Sequence, residues 1–288
     1  MTLSPFELHR PSTVEEVEVL VDRYGDDVAL YCGGTELLLV MKLGLAAYSN
    51  LVDVKGIPEL HRLDANGSEL RVGAAVTHRQ LESSPLVERV VPPLAEMERR
   101  VANVRVRSVG TLGGNPCFSD PHSDPATFLL ATGAELVVRR GTAERTIPIT
   151  EFVRGPYETA LERAELLTEI RIPALPPKAV VVHERFATHE RPALTVACYV
   201  RAEGDRVAEG RVAVGSVTPT PARVRDVEQA LVGVPLDTTA EVAGAGEVAA
   251  DAIEPFADLN GSVEYKRNLV RVFVNRCCGA ALERLRAA

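Results

Sequence analysis

Apolar residues recur at Val14, Val17, Leu20 and Val21, the spacing of one face of a helix. Pro11-Ser12-Thr13-Val14-Glu15 opens it, with Ser12 and Glu15 at capping-box spacing, and Gly25 closes it. Val28 to Cys32 is a short apolar run of strand type, broken by Gly33-Gly34. Thr35 then caps a helix running through Leu37, Leu38, Val40 and Met41, and Asn50 to Val54 is a second strand. Residues 1–56 therefore predict a small α/β unit.

The pattern then turns β-rich. Leu60–Ala65 and Glu69–Ala74 flank Asn66-Gly67, a strong hairpin signal. Thr77 begins a short helix, and Pro85–Arg99 predicts one longer helix. Val104–Val109 alternates apolar and basic residues and leads into Gly110-Thr111-Leu112-Gly113-Gly114-Asn115. Asp124–Thr132 is helical, Glu135–Arg139 pairs with Arg145–Ile147 across Gly141, and Leu166–Ile172 is a strand stopped by Pro173. Pro173-Ala174-Leu175-Pro176-Pro177 breaks any regular element and marks a linker. Three strands follow, Val180–Phe186, Leu194–Ala202 and Val207–Val217, then helices over Ala222–Leu231, within 239–252 and over Val263–Leu285.

Composition narrows the function classes. The 288 residues are 46% hydrophobic and 25% charged, an ordinary globular balance that suits about two domains. The net charge of −8 argues against a nucleic-acid backbone or an anionic membrane as partner. No apolar stretch reaches a membrane span of ~18 residues, and the first residues lack a signal-peptide pattern. The cysteines Cys32, Cys117, Cys198, Cys277 and Cys278 are scattered and show no CxxC spacing, which disfavours disulfides, zinc and iron–sulfur clusters and suits the cytoplasm. His122 and His183 lack companions at metal-ligand spacing, so no metal site is expected. No GxSxG element or Ser/His/Asp arrangement suggests a catalytic side chain.

Chemistry concentrates in two glycine-rich turns, Leu30-Tyr31-Cys32-Gly33-Gly34-Thr35-Glu36-Leu37 and Gly110–Asn115. Exposed N–H groups in such turns form nests for phosphate, and two of them can cradle one diphosphate from both sides. A Gly-Gly pair also serves simply as a tight turn, and neither segment is a P-loop or a GxGxxG fingerprint.

The first turn, with Met41-Lys42, resembles the GGT(D/E)LL…MK element of the FAD-binding subunits of molybdenum hydroxylases, a family that includes xanthine dehydrogenase and aerobic carbon monoxide dehydrogenase. Further elements follow in the family's order: Leu51-Val52-Asp53, Gly73–His78, Val106–Asn115, Asp120–Asp124, Gly155–Thr159 and Glu165–Pro173. The resemblance spans essentially the whole chain. It implies an α+β fold, with a two-subdomain FAD-binding domain of the PCMH/VAO type at 1–176 (subdomains 1–56 and 57–176) and a C-terminal three-stranded antiparallel sheet with helices at 177–288.

The resemblance also implies roles. Leu30, Tyr31, Cys32, Gly33, Gly34, Thr35, Glu36 and Leu37 wrap the FAD diphosphate, and Thr111, Gly113, Gly114 and Asn115 supply the second loop. Asp124 hydrogen-bonds the cofactor, Leu167 lines it, Arg185 is a basic residue near the flavin, and Thr77 and His78 lie beside the isoalloxazine. Read as residues alone, Asp124 equally begins a helix, His78 is equally a surface histidine, Arg185 a solvated strand charge, and Leu167 and Cys32 buried packing. Pro116 departs from the family pattern and removes a donor N–H from the second loop, and His189 stands where relatives carry arginine. The implied assembly adds a 2Fe–2S small subunit and a molybdopterin large subunit, arranged as a dimer of heterotrimers, with electrons passing through FAD to an external acceptor. A self-sufficient flavin oxidoreductase and a flavin-free scaffold are the alternatives.

Overall fold

The computed structural model describes residues 3–237 and 244–287. Its first sheet is parallel and three-stranded, ordered Glu7–His9, Asn50–Asp53, Val28–Tyr31. The edge strand Glu7–His9 is too short to leave a pattern in the sequence. Helix Val14–Tyr24 buries Val14, Val17 and Val21 against this unit. Its cap is Thr13, whose hydroxyl accepts from the Glu16 N–H, while Glu16 accepts from Ser12 in return. The N-cap thus lies one residue later than the Ser12–Glu15 spacing predicts, and Glu16 reaches back to Ser12 rather than to the cap residue. The helix after the first glycine turn is Leu37–Lys42, and Glu36, not Thr35, holds its cap position.

The second sheet is antiparallel and five-stranded, ordered Leu63–Ala65, Glu69–Gly73, Leu166–Pro173, Glu135–Arg140, Ala143–Pro148. The predicted helix Pro85–Arg99 is two helices, Pro85–Val90 and Pro92–Glu98. Pro92 explains the break, because the residue before a proline is pushed out of helical conformation, and Val91 has ψ 68°. Val104–Val109 is a helix despite its alternation, started by the Asn103 side chain accepting from the Arg105 and Val106 N–H groups.

The third sheet is antiparallel, ordered Ala179–Phe186, Leu194–Glu203, Arg206–Gly215, Ala222–Arg223. It has four strands rather than three, because Ala222-Arg223 pairs with Ala213-Val214 before the helix Arg225–Leu231 begins. Helix Val263–Ala287 covers one face, and a helix at Ala245–Ala252 packs on it. The rest of the predicted 239–252 helix, residues 239–243, lies outside the described residues.

The other face of this sheet packs on helix Asp124–Thr132, which is buried along its entire length. A helix apolar all round belongs between layers, and this one joins the two cores. Thr127 Oγ1 meets Thr195 Oγ1 of the third sheet at 2.8 Å, while Phe128 and Leu129 enter the core shared with the five-stranded sheet. Its first residue, Asp124, is thereby held beside Arg185 and His183 of the third sheet.

Candidate functional site

A cavity of about 360 Å³, within the ~300–1,000 Å³ range of small-molecule sites, is lined by Leu30 and Tyr31 of the first sheet, Leu166 and Leu167 of the second, and the loop residues Glu190 to Pro192. The first glycine turn forms one wall. Among the described residues, the amides of Gly34, Thr35, Glu36 and Leu37 find no hydrogen-bond acceptor. Unpaired donors in a row are costly unless a ligand or water meets them, and such a nest attracts phosphate oxygens. Gly34 has φ +70°, the left-handed region. Gly33 lies flat against the second turn, where an added Cβ would sit 2.8 Å from the Gly110 Cα.

The second turn forms the facing wall but holds its amides differently. The N–H groups of Gly110, Leu112, Gly113, Gly114 and Asn115 donate to Val106 O, Val76 O, Ala74 O, Thr111 Oγ1 and Thr111 O. An added Cβ on Gly113 would sit 2.6 Å from the Ala74 Cα. Among the described residues only the Thr111 amide of this turn lacks an acceptor, so the free N–H groups gather on the first turn. Pro116 is the third residue of helix Gly114–Phe118 and offers no N–H to the Leu112 carbonyl, between the flanking bonds from Asn115 to Thr111 O and from Cys117 to Gly113 O.

Fifteen of the residues expected at the site line this one cavity: Leu30 to Leu37, His78, Thr111, Gly113, Gly114, Asn115, Asp124 and Leu167. Leu166 and Leu167 both line it, just before the strand's register shifts between Leu167 and Glu169. Thr77 stands behind the wall, capping helix His78–Glu82 in a capping box with Gln80. Arg185 also stands behind it, with Nε 3.1 Å from Asp124 Oδ1 and its other nitrogens on the carbonyls of Arg100 and Glu190. His189 is exposed and off the cavity.

The wall around Asp124 is polar, dry and incompletely paired. His78 Nδ1 lies 2.7 Å from Glu98 Oε2, both side chains buried. Asp124 Oδ1, Glu98 Oε1 and both ring nitrogens of His183 are buried with no hydrogen-bond partner among the described residues. Burial pushes the Asp124 carboxyl up to about 7, with Arg185 working against it. Burial, together with Arg100 and Arg185, pushes His183 down to about 3, so its 3.9 Å approach to Asp124 is not an ion pair.

A second ionic chain crosses the cavity mouth and was not legible beforehand. Arg191 pairs with Glu36 of the first turn and with Asp120. His122 bridges Asp120 and Asp258, at 3.2 and 2.9 Å, and the fully buried Lys266 meets Asp258 at 2.8 Å. Hydrogen bonding to Asp120 raises the His122 pKa. Burial works to raise Asp258, but Lys266 and His122 outweigh it and hold the carboxyl at about 2. Cys32 and Cys117 also line the cavity, and burial raises both thiols, Cys117 to about 12, which keeps them protonated and unreactive. Among the described residues no group of His, Cys, Asp and Glu is placed to hold a metal ion.

Residues 4–175 match the family described as the FAD binding domain in molybdopterin dehydrogenase, and residues 182–281 match the CO dehydrogenase flavoprotein C-terminal domain. The chain belongs to this family of flavoprotein subunits. The medium chain of carbon monoxide dehydrogenase from Hydrogenophaga pseudoflava is 34% identical, over 97% of this chain and 98% of the relative. The nicotine 6-hydroxylase medium subunit of Paenarthrobacter nicotinovorans is 30% identical, over 96% and 97%. In solved structures, the Hydrogenophaga pseudoflava carbon monoxide dehydrogenase chain superposes with a TM-score of 0.95, covering 99% of both chains at 34% identity. A chain of quinoline 2-oxidoreductase from Pseudomonas putida 86 gives 0.93, covering 99% of both at 27% identity. FAD is the cofactor of this family, and the unpaired amides of Gly34 to Leu37 fit its diphosphate. No helix among the described residues is long and apolar enough to cross a membrane.

Proposed function

We propose that the chain is the FAD-binding, electron-transferring subunit of a cytoplasmic molybdenum-containing dehydrogenase. Its partners are a 2Fe–2S small subunit and a molybdopterin large subunit, assembled as a dimer of heterotrimers. Residues 1–176 are the flavin-binding domain and 177–288 the C-terminal domain. The observation that carries this reading is the row of acceptor-free amides at Gly34–Leu37 on the wall of the cavity.

Leu30 to Leu37 hold the diphosphate through backbone N–H groups. Thr111, Gly113, Gly114 and Asn115 close the opposite side by bare backbone and side-chain contact. Leu167 packs against the cofactor, and Asp124 and His78 give the cavity its polar wall. Thr77 and Arg185 act through their neighbours, Thr77 by starting the helix that carries His78, Arg185 by fixing the Asp124 carboxyl. Bound FAD supplies the redox chemistry, and this chain binds, orients and tunes it. The relatives' names, carbon monoxide dehydrogenase and nicotine 6-hydroxylase medium subunits, support a place in a multi-subunit oxidoreductase.

The test is flavin content followed by stopped-flow reduction. The purified chain carries noncovalent FAD, released on denaturation, and organic substrates reduce it rapidly only when the partner subunits are present. A chain with no flavin, or rapid reduction of the isolated chain by an organic substrate, would overturn the proposal.

A further inference from the structure

Resting on the flavin reading above, we infer that Asp124 is a redox-linked proton site, whose carboxyl takes up a proton when the flavin is reduced and releases it on reoxidation. The argument begins with the position. Asp124 lines the cavity, its side chain is 4% exposed, and it is the first residue of a helix locked between two sheets, so it cannot swing into solvent. Its Oδ1 is buried and has no hydrogen-bond partner among the described residues; Arg185 Nε forms an ion pair with it at 3.1 Å without the alignment of a hydrogen bond.

Burial and most of the surrounding charges oppose one another. Arg185 and the neutral His183 face Asp124 from strand Ala179–Phe186, His78 from helix His78–Glu82, Glu98 from helix Pro92–Glu98, and Arg100 from just beyond that helix. Arg185, His78 and Arg100 favour the carboxylate, whereas Glu98 and burial favour the acid. A group poised this way, near 7, switches state when one nearby charge is added. A one-electron donor such as an iron–sulfur centre delivers electrons without protons. Two electrons entering a flavin in the cavity therefore add negative charge beside Asp124, and in a dry site the carboxylate answers by binding a proton from solvent. Two electrons enter the flavin and one proton enters Asp124, in addition to any proton the flavin takes itself; reoxidation by the external acceptor returns all of them.

Linkage sets where the effect appears. Above pH 7 the carboxyl is ionised before reduction and has a proton to gain, whereas well below 7 it is already protonated and gains nothing. The experiment reduces the FAD-loaded protein with dithionite in weak buffer and reads proton uptake with an indicator dye from pH 6 to 9, alongside flavin content. The wild type takes up about one proton per flavin more than Asp124→Asn near pH 8, and this difference vanishes near pH 6. Should Asp124→Asn fail to fold or load FAD, Glu98→Gln decides. Glu98 does not line the cavity, and removing its charge shifts the extra uptake to lower pH. Equal uptake by loaded wild type and Asp124→Asn, or an unmoved window in Glu98→Gln, overturns the inference alone. A wild type that binds no FAD overturns the flavin reading and this inference with it.

Discussion

At Gly34–Leu37 the backbone amides face no acceptor among the described residues, whereas at Gly110–Asn115 those of Gly110, Leu112, Gly113, Gly114 and Asn115 are each bonded within the chain. Both turns carry Gly-Gly, both line the same cavity, and they touch through Gly33 and Gly110. The difference lies in their neighbours. The first turn leaves a parallel strand and enters a short helix, so nothing runs alongside to take its N–H groups. The second runs beside Ala74–His78, with Thr111 bridged to Thr77; that segment takes the Leu112 and Gly113 N–H groups, and Val106 and Thr111 take those of Gly110, Gly114 and Asn115. A glycine pair in a sequence thus marks close backbone approach, and only the flanking chain decides whether donors remain for a ligand.

The largest effect should come from breaking the contact between the turns. Gly33→Val forces a side chain into the Val109–Gly110 backbone. We expect FAD-free stability to fall by about 3 kcal/mol and FAD to be absent after purification, as denaturant melts and flavin absorbance will show. Retention of full flavin would mean that the turns need not touch.

If the side opposite the nest works through side chains, Asp124 should dominate its titration. Its folded pKa, about 7, lies above the ordinary carboxyl value, so its contribution is fully present at low pH and is lost as pH rises towards 7. Relative to Asp124→Asn, the FAD-free wild type should lose on the order of 4 kcal/mol between pH 4 and 8. Parallel pH profiles in denaturant melts would contradict this.

Gly113→Ala separates packing from binding. With Ala74 backbone in its way, it should cost about 2 kcal/mol in the FAD-free chain, while FAD affinity in the folded fraction changes little by fluorescence titration. The smallest effect belongs to Arg191→Ala. Arg191 is 43% exposed, so losing its pairs with Glu36 and Asp120 should weaken FAD binding by up to about fivefold and leave melting nearly unchanged. A larger loss would give the mouth of the cavity a part in the nest.

Much of the fold was legible because its signals are local. The 3.6-residue period gave helix Val14–Tyr24, and Asn66-Gly67 gave the hairpin. Where the reading went astray, a single residue or a distant partner intervened. Pro92 split one helix, and Asn103 turned an alternating segment into another. The residues of the site were visible through the ordered motifs that contain them. Its electrostatics were not, because they join groups far apart in the chain. His78 meets Glu98 20 positions on, Arg191 reaches Glu36 across 155, and His122 reaches Asp258 across 136. The free donors of the first turn were equally hidden, since they are defined by what the rest of the fold fails to bring near them.

Amide hydrogen exchange with and without FAD tests the central claim most directly, because it reads the N–H groups themselves. On adding FAD, exchange at Gly34–Leu37 should slow strongly, while Gly113–Asn115, already hydrogen-bonded, should change little. Unchanged exchange at Gly34–Leu37 in a chain with FAD bound would contradict the account.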